Sequence, residues 1–165
     1  MKGSDYMTIP QIEQTVERFY SDILRYMVSR IRERAAAEDL TQETFFRFIR
    51  YAGKLNFPSE KKCKAYLFQT AANVCRDYFA GWEEMVELDE TLAAPEDDYD
   101  LALTLETAII RLPEPQKEAA VLYYYHGFRV REIAGIQQVT VSAVKSRLKQ
   151  ARETLRMYLE KEGIV

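Results

Sequence analysis

The residues best suited to chemistry are cations and short hydroxyls that recur along one segment near the C-terminus. Their spacing of three and four residues places them on one side of a helix. The cations are Lys145, Lys149, Arg152 and Arg156, and the hydroxyls are Ser142 and Ser146. A helix of this kind reads base edges in the DNA major groove, while its flanking cations meet phosphates. The alternative is that these charges only form a solvated helix surface.

The elements around this segment predict a helix-turn-helix. An amphipathic helix precedes a short break at residues 137–140, and Thr140 can cap the helix that follows. Gln138 stands where many such turns place a glycine in the left-handed conformation, which a glutamine adopts only with strain. The second helix carries an apolar stripe that can hold it to a domain. The stripe consists of Val141, Val144, Leu148, Ala151, Leu155 and Leu159.

The distribution of charge supports two basic regions separated by an acidic one. The whole chain of 165 residues has a formal net charge of −3. Residues 1–82 carry 13 Lys and Arg against 10 Asp and Glu, and residues 105–165 carry 10 against 7. Residues 83–104 carry 9 acids and no Lys or Arg, and they lose helical periodicity. This composition is typical of a flexible acidic linker between two small domains.

Several classes of site are disfavoured. Cys63 and Cys75 are the only cysteines and His126 is the only histidine, with no spacing typical of a metal site or a disulfide framework. We therefore expect no cofactor and no catalytic residues, and we interpret His126 as a helix-end residue. No apolar run reaches the length of a membrane span, and the N-terminus lacks a signal-peptide pattern. The expectation is a cytoplasmic protein without membrane insertion.

The remaining pattern predicts an all-α fold of two small helical domains. Thr8 and Gln11 can form a capping box for a helix that reaches about Arg32. A turn through Ala35–Ala37 is expected to lead to the second helix. The other predicted helices span roughly residues 38–51, 62–79 and 116–126, with one more resuming at about Leu103 and ending at Pro113. Gly127 is placed to close the helix before it.

The third predicted helix is rich in aromatic residues, and two interpretations remain open. The rings, near several lysines, can stack on unpaired bases, or they can simply fill the core. Asn73 has an amide with two donors and an acceptor, enough to read a base turned out of the stack. Its alternative role is a helix surface residue that bonds to water. The aromatic residues are Tyr66, Phe68, Tyr78, Phe79 and Trp82.

Three segments in order resemble the extracytoplasmic-function (ECF) group of bacterial RNA polymerase sigma factors. AEDLTQETFFRFIR at 37–50 is similar to the segment by which that family grips the polymerase clamp helices. KAYLFQTAANVCRDYF at 64–79 is similar to the helix beside its promoter-melting loop. LPEPQKEAAVLYYYHGF at 112–128, with the helix-turn-helix after it, resembles its C-terminal domain. The resemblance implies domains at 1–82 and 105–165, corresponding to sigma regions 2 and 4.

The resemblance also implies partners and contact residues. Core RNA polymerase and promoter DNA are the expected partners, and an anti-sigma factor is expected because such partners are common in the group. The residues implied to bind core polymerase are Asp39, Gln42, Glu43 and Arg47. Those implied for the minus-ten element are Lys61, Lys62, Lys64 and Asn73. Those implied for the minus-thirty-five element are Thr140, Ser142, Lys145, Ser146, Arg147, Lys149 and Arg152.

Two functions compete at this point. The first is a promoter-specificity subunit, a non-enzyme that binds core RNA polymerase, recognises and melts promoters, and so initiates transcription. The second is a stand-alone helix-turn-helix transcription regulator, with residues 1–82 as a sensor or dimerisation domain. The clamp-like segment and Asn73 favour the first function, because a sensor domain requires neither of them. A small helical enzyme is a poor third choice, since the sequence has no carboxylate pair, metal set or glycine-rich phosphate loop.

Overall fold

The computed structural model describes residues 6–85, 108–109, 111–161 and 163. Within these residues the chain forms helices joined by turns and contains no β-strand, which confirms the predicted all-α fold. The predicted acidic linker lies outside the described residues except at 83–85, which form the end of a helix. The helices are α1 (Ile9–Arg30), α2 (Arg34–Ala52), α3 (Glu60–Met85), α4 (Glu114–Ala120), α5 (Val130–Gln137) and α6 (Val141–Lys161).

Helix α1 begins at the predicted capping box. The Thr8 hydroxyl accepts from the Gln11 amide at 3.4 Å, and the Gln11 side chain accepts from the Thr8 amide at 2.8 Å. These two bonds satisfy donors that the first turn of a helix leaves without partners. The helix ends at Arg30 because Ile31 adopts an extended conformation.

Helix α2 begins earlier than the sequence suggested. The predicted turn through Ala35–Ala37 was wrong, since these residues are helical and the chain turns before Arg34 instead. Alanine has the highest helix propensity, and Ala37 is fully buried in the core. The Ala37 amide donates to the Glu33 carbonyl at 3.0 Å and closes the first turn. The helix propensity of alanine and the burial of Ala37 therefore favour a helical conformation for Ala35–Ala37.

Helix α3 is longer than predicted and supplies much of the core. The Ser59 hydroxyl accepts from the Lys62 amide at 3.2 Å, as expected for the start of this helix. The helix continues to Met85, past the predicted end at Phe79 and the predicted domain boundary at 82. Phe68 is fully buried, which confirms the core interpretation for that ring. The half-buried rings that pack against the core are Tyr66, Tyr78 and Phe79.

The predicted helix over residues 116–126 is divided in two. Helix α4 occupies Glu114–Ala120, and one turn of π-helix follows at Val121–Tyr125. The His126 amide donates to the Val121 carbonyl at 3.1 Å. This backbone hydrogen bond spans five residues instead of the four of an α-helix. Gly127 adopts a φ of 72°, which confirms its predicted place after the helix end. The helical periodicity of the sequence does not distinguish such a turn from an ordinary α-helix.

The helix-turn-helix is present as predicted. Gln138 has a φ of 56° and lies in the left-handed conformation that the turn requires. The Thr140 hydroxyl accepts from the Ala143 amide at 3.1 Å and caps α6. Most of the predicted apolar stripe of α6 is buried, whereas Val141 remains 40% exposed at its first turn. The buried stripe residues are Val144, Leu148, Ala151 and Leu155.

The two halves of the chain share the larger of two hydrophobic clusters that the described residues form. Helix α3 packs against α5, and the Phe68 ring lies 4.9 Å from the Phe128 ring and 4.7 Å from the His126 ring. The core cluster contains Ile23, Phe68 and other N-terminal residues together with Leu122 and Ile133 from the C-terminal half. Burying each such side chain contributes about 1.5–3 kcal/mol. The contact between the halves is therefore a packed junction.

Candidate nucleic-acid interface

The outer face of α6 presents the predicted minus-thirty-five residues to solvent. The buried stripe of α6 packs onto α4 and α5, which leaves the opposite side exposed. Arg152 Nη1 donates to the Tyr124 hydroxyl at 3.4 Å, which links this face to the exposed rings of the π-turn. Cations on two successive helical turns, with hydroxyls beside them, can contact the phosphates and base edges of a duplex groove. The exposed residues are Thr140, Ser142, Lys145, Ser146, Lys149 and Arg152.

Arg147 differs from the other predicted members of this set. It is half-buried, and its Nη1 donates to the Gln137 side-chain oxygen at 3.1 Å. Gln137 is itself buried at the end of α5. The guanidinium of Arg147 is therefore attached to the turn of the helix-turn-helix and fixes how α6 sits on α5.

The predicted minus-ten lysines lie along the start of α3. Lys61 and Lys62 are exposed, and Lys61 Nζ is 3.7 Å from a carboxylate oxygen of Glu132 on α5. Lys64 Nζ donates to the His126 carbonyl at 2.9 Å and lies 5.0 Å from the centroid of the Phe128 ring. Two of the three lysines therefore contact the C-terminal half of the chain.

Asn73 lies further along α3, on the C-terminal side of these lysines, and is half-buried. Its side-chain oxygen accepts from Arg76 Nη2 at 2.6 Å. The same Arg76 nitrogen reaches the Ile136 carbonyl of α5 at 3.5 Å. Asn73 is therefore held within a polar contact that also reaches the C-terminal half.

Folding brings two further cations to this surface. A groove of 530 Å³ runs between α3 and α5, with Lys61 and Lys62 on one wall and Arg129 and Arg131 on the other. Sequence reasoning missed the two arginines, because they precede the recognition helix and their proximity to α3 depends on the junction. Their excess over Glu132, the acid in the lining, makes the groove suitable for an anionic chain.

The predicted polymerase-binding residues lie on α2. Asp39, Gln42 and Glu43 are exposed. Arg47 donates to Glu43 at 3.0 Å and to Asp77 of α3 at 2.9 Å, so it also ties α2 to α3. The large apolar side chains at this face were not assigned a role by the sequence, and they enlarge it into a mixed surface typical of protein interfaces. They are Phe46, 63% exposed, and Ile49, 50% exposed.

A buried polar cluster at the junction was not anticipated. The Tyr26 hydroxyl donates to Glu118 Oε1 at 2.5 Å, and Arg30 Nη1 lies 3.4 Å from the same oxygen. Gln137 Nε2 donates to the other carboxylate oxygen, Oε2, at 3.1 Å. Burial and the neighbouring Glu118 carboxylate raise the pKa of Tyr26 well above its ordinary value. Sequence offered no signal for it, since Tyr26 and Glu118 are 92 positions apart.

His126 completes the junction. Its Nε2 atom is buried without a hydrogen-bond partner. Burial, together with the charges of Lys64 and Arg25, lowers the pKa of His126 to about 4. No cluster of His, Cys, Asp and Glu able to hold a metal ion occurs among the described residues. In the same part of the chain, no helix is long and apolar enough to cross a membrane.

The sequence matches two family models, and the matched residues include the surfaces described above. Residues 15–82 match the model described as Sigma-70 region 2, and residues 102–155 match Sigma-70, region 4. The chain is 28% identical over 159 residues to the ECF RNA polymerase sigma factor SigM of Bacillus subtilis, covering 91% of this chain and 94% of SigM. It is 30% identical over 142 residues to SigW of the same organism, covering 74% of this chain and 75% of SigW.

The fold is also similar to a solved structure. In the complex of the sigma factor RpoE with the anti-sigma factor NepR from Bartonella quintana, the RpoE chain superposes with a TM-score of 0.71 at 23% identity. The alignment covers 92% of this chain and 98% of the other. At that identity the likeness supports the fold, and the sequence matches carry the family.

Proposed function

The chain belongs to the ECF group of RNA polymerase sigma factors, and from that premise we propose which residues perform each part of its work. As a sigma factor it binds core RNA polymerase and directs promoter recognition and transcription initiation. The observation that carries this conclusion is the pair of region matches in the family's order. The match over residues 15–82 counts against a sensor domain in that half, and so against a stand-alone regulator.

The proposed minus-thirty-five reader is the exposed face of α6. A helix projecting its N-terminal half from a helix-turn-helix enters the major groove, where lysine and arginine reach guanine edges or phosphates. Arg147 holds α6 at its angle on α5 through Gln137, so we assign it a positioning role beside the contact residues. The proposed contact residues are Thr140, Ser142, Lys145, Ser146, Lys149 and Arg152.

The proposed minus-ten surface lies along α3. Asn73 has the donor and acceptor pattern needed for the edge of an unpaired base, while Lys61, Lys62 and Lys64 supply cations for the adjoining phosphates. Strand melting by this surface requires no bond-making step. We propose that the protein acts here by stabilising separated strands and is not an enzyme.

The proposed polymerase contact is the outer face of α2, with Asp39, Gln42, Glu43 and Arg47 around the exposed Phe46. An anti-sigma factor is a further proposed partner, supported by the RpoE–NepR complex that shares this fold. A cytoplasmic location follows for a protein that works on RNA polymerase. We also propose residues 1–82 and 105–165 as the functional domains, with 83–104 between them.

We propose that each of the two domains contributes part of the free energy of binding to promoter DNA. Each carries an excess of only three positive charges, and electrostatic affinity for DNA scales with the number of phosphates neutralised. Domains of this charge bind DNA modestly by themselves. When core polymerase holds both, the second DNA contact becomes intramolecular and the two weak contacts act together.

In vitro transcription tests this function. Purified protein would be mixed with bacterial core RNA polymerase and a library of promoter fragments, and transcript 5′ ends would be sequenced. We expect the protein to co-purify with core and to select a subset of fragments that share two short elements. A helix-turn-helix regulator would instead bind a duplex site without core and give no transcripts in this mixture.

A further inference from the structure

Gln137 is a buried amide at the end of α5, and it joins three helices of the C-terminal half. Its residue is 7% exposed and comes directly before the left-handed Gln138. Its Nε2 atom donates to Glu118 Oε2 at 3.1 Å and to the Pro115 carbonyl at 3.3 Å, both on α4. Its side-chain oxygen accepts from Arg147 Nη1 of α6 at 3.1 Å. Both ends of the amide are therefore hydrogen-bonded.

These partners permit one orientation of the Gln137 amide. The α4 side offers two acceptors, one of them a carboxylate, and the α6 side offers a guanidinium, which can only donate. Turning the amide over would place its oxygen against oxygens and its N–H groups against N–H groups, and leave buried polar atoms unpaired. Hydrogen bonds to charged groups are the stronger ones, and Gln137 has one at each end. The Glu118 carboxylate thus fixes the direction in which Gln137 presents its oxygen to Arg147.

The bond from Gln137 constrains the rotation of α6 about its own axis. The buried stripe of α6 is apolar, and apolar contacts are not directional, so they hold the helix without fixing its rotation closely. The bond to Arg147 is directional, and it lies beside the exposed Ser146. Side chains end about 5–6 Å from a helix axis, so a rotation of about 10° moves them by about 1 Å. That displacement exceeds the roughly 0.5 Å within which a binding site must hold its groups.

We propose that Gln137, oriented by Glu118, determines the sequence preference at the minus-thirty-five element without touching DNA. It is a positioning residue. Through Arg147 it sets the rotation of α6, and so which base edges Lys145 and Lys149 can reach. The inference rests on the proposed function of the outer face of α6 and adds what determines its specificity.

The experiment compares Gln137→Met with Gln116→Met in the full chain. Methionine is close to glutamine in length and volume but has no amide, so the hydrogen bonds are lost with little change in packing. Gln116 provides the matched control, because its Nε2 also joins α4 to α6, donating to Gln150 at 3.3 Å, but through a hydrogen bond exposed to solvent. Circular dichroism and thermal unfolding would verify that both variants are folded.

Transcription with core polymerase from the promoter library measures the preference. At each position of the minus-thirty-five element, the readout is the ratio of transcripts from the preferred base to transcripts from the other three. Gln137→Met should lower this ratio at least about threefold at one or more positions, as expected when a base contact is partly lost. Gln116→Met should keep the wild-type ratios. A residue needed only for stability would lower the output of all promoters by one factor and leave the ratios unchanged.

Spin labels measure the position of α6 without DNA or polymerase. Gly135→Cys on α5 and Met157→Cys on α6 would carry them, because Met157 is 70% exposed and the space around a Cβ atom at Gly135 is open. The native Cys63 and Cys75 are buried, and burial raises the pKa of both thiols, so they react slowly. Double electron–electron resonance should show a shifted or broadened distance distribution when Gln137→Met is added. Adding Gln116→Met should leave the distribution unchanged.

Arg147→Met breaks the same hydrogen bond from α6 and replaces Gln137→Met if that variant does not fold. Combined, the two changes should lower the ratios no further than the larger single effect, because both remove one interaction.

A folded Gln137→Met or Arg147→Met protein with wild-type ratios, or with the wild-type distance distribution, would overturn the proposal. So would a change of equal size in Gln116→Met. If wild-type protein made no transcripts with core, the proposed function would fail. The label distances would then still decide whether Gln137 sets the position of α6.

Discussion

The two proposed DNA surfaces of this sigma factor use similar side chains but differ in exposure. On α6 the cations Lys145 and Lys149 are exposed, whereas the opposite side of the helix is buried against the rest of the fold. On α3 the cation Lys64 and the amide of Asn73 are half-buried and engaged in contacts that lead to His126 and to α5. The proposed minus-thirty-five surface is exposed, and the proposed minus-ten surface is partly covered by the C-terminal half.

This difference agrees with what each surface is proposed to recognise. Duplex DNA offers its groove edges without distortion, so a rigid, exposed helix can read them directly. An unpaired base offers its face and edge only after melting, which costs a few kcal/mol. A permanently open pocket for such a base would also bind any single strand. The predictions that follow test this difference between the exposed surface and the covered one.

The largest effect is expected from His126, whose carbonyl accepts from Lys64 of the covered surface. Its folded pKa of about 4 lies below the ordinary value near 6.5, so the folded protein favours the neutral ring. The resulting stability is complete above about pH 6.5 and is lost as pH falls toward 4, by about 2–3 kcal/mol at pH 4.5. His126→Phe should remove this component. Urea unfolding at pH 7.5 and 4.5 measures it, and identical pH dependence in both proteins would show that the ring is solvated.

Asn73→Ala should impair strand opening by about thirtyfold, or about 2 kcal/mol, because the base loses its hydrogen-bonding partner. Binding to core polymerase should be unchanged, since the proposed polymerase contact lies on α2. Open-complex formation by a fluorescent promoter with core measures the first, and co-purification measures the second. Loss of core binding would instead show that Asn73 maintains the fold of α3.

Lys149→Ala should weaken promoter use by about tenfold, or about 1.4 kcal/mol, and alter the preferred minus-thirty-five sequence if Lys149 contacts a base. Arg156→Ala is the matched control, because Arg156 is two turns further along α6 and is paired with Glu160 at 3.1 Å. Promoter-library transcription with both variants provides the measurement. A preference unchanged from wild type would assign Lys149 to phosphates or solvent.

The smallest effect is expected at Gln138, in the turn that sets the open surface. Its positive φ is strained for a side chain with a Cβ atom, whereas glycine adopts it freely. Gln138→Gly should therefore stabilise the protein by about 0.5 kcal/mol, because the added freedom of the unfolded chain offsets part of the relief. Gln138→Ala should give no such gain. Thermal unfolding of the two variants distinguishes relief of backbone strain from loss of the side chain.

The open surface could be predicted from sequence because its determinants are local. The Thr140 cap, the left-handed Gln138 and the apolar stripe of α6 all operate within a few residues of one another. Periodicity then assigns one side of the helix to the core and the other to solvent. The capping box of Thr8 and Gln11 was predictable for the same reason.

The covered surface could not be predicted because its determinants are distant in sequence. Lys64 and His126 are 62 positions apart, and Arg76 and Ile136 are 60 apart. No local pattern reveals that α3 packs on α5 or that Glu118 is buried opposite Tyr26. The π-turn at Val121–Tyr125 was missed because the same residues are also compatible with an ordinary α-helix. Whether residues 83–104 form a flexible linker stays a prediction.

The most direct test of the central claim is permanganate footprinting of unpaired thymines on a promoter selected from the library. Core polymerase with wild-type protein should make thymines of the minus-ten element reactive. Core alone should not, and core with Asn73→Ala should do so only weakly, while nuclease footprinting of the same complex should still show protection of the minus-thirty-five element. If core with wild-type protein left those thymines unreactive on every selected promoter, this chain would not act as the promoter-opening subunit described.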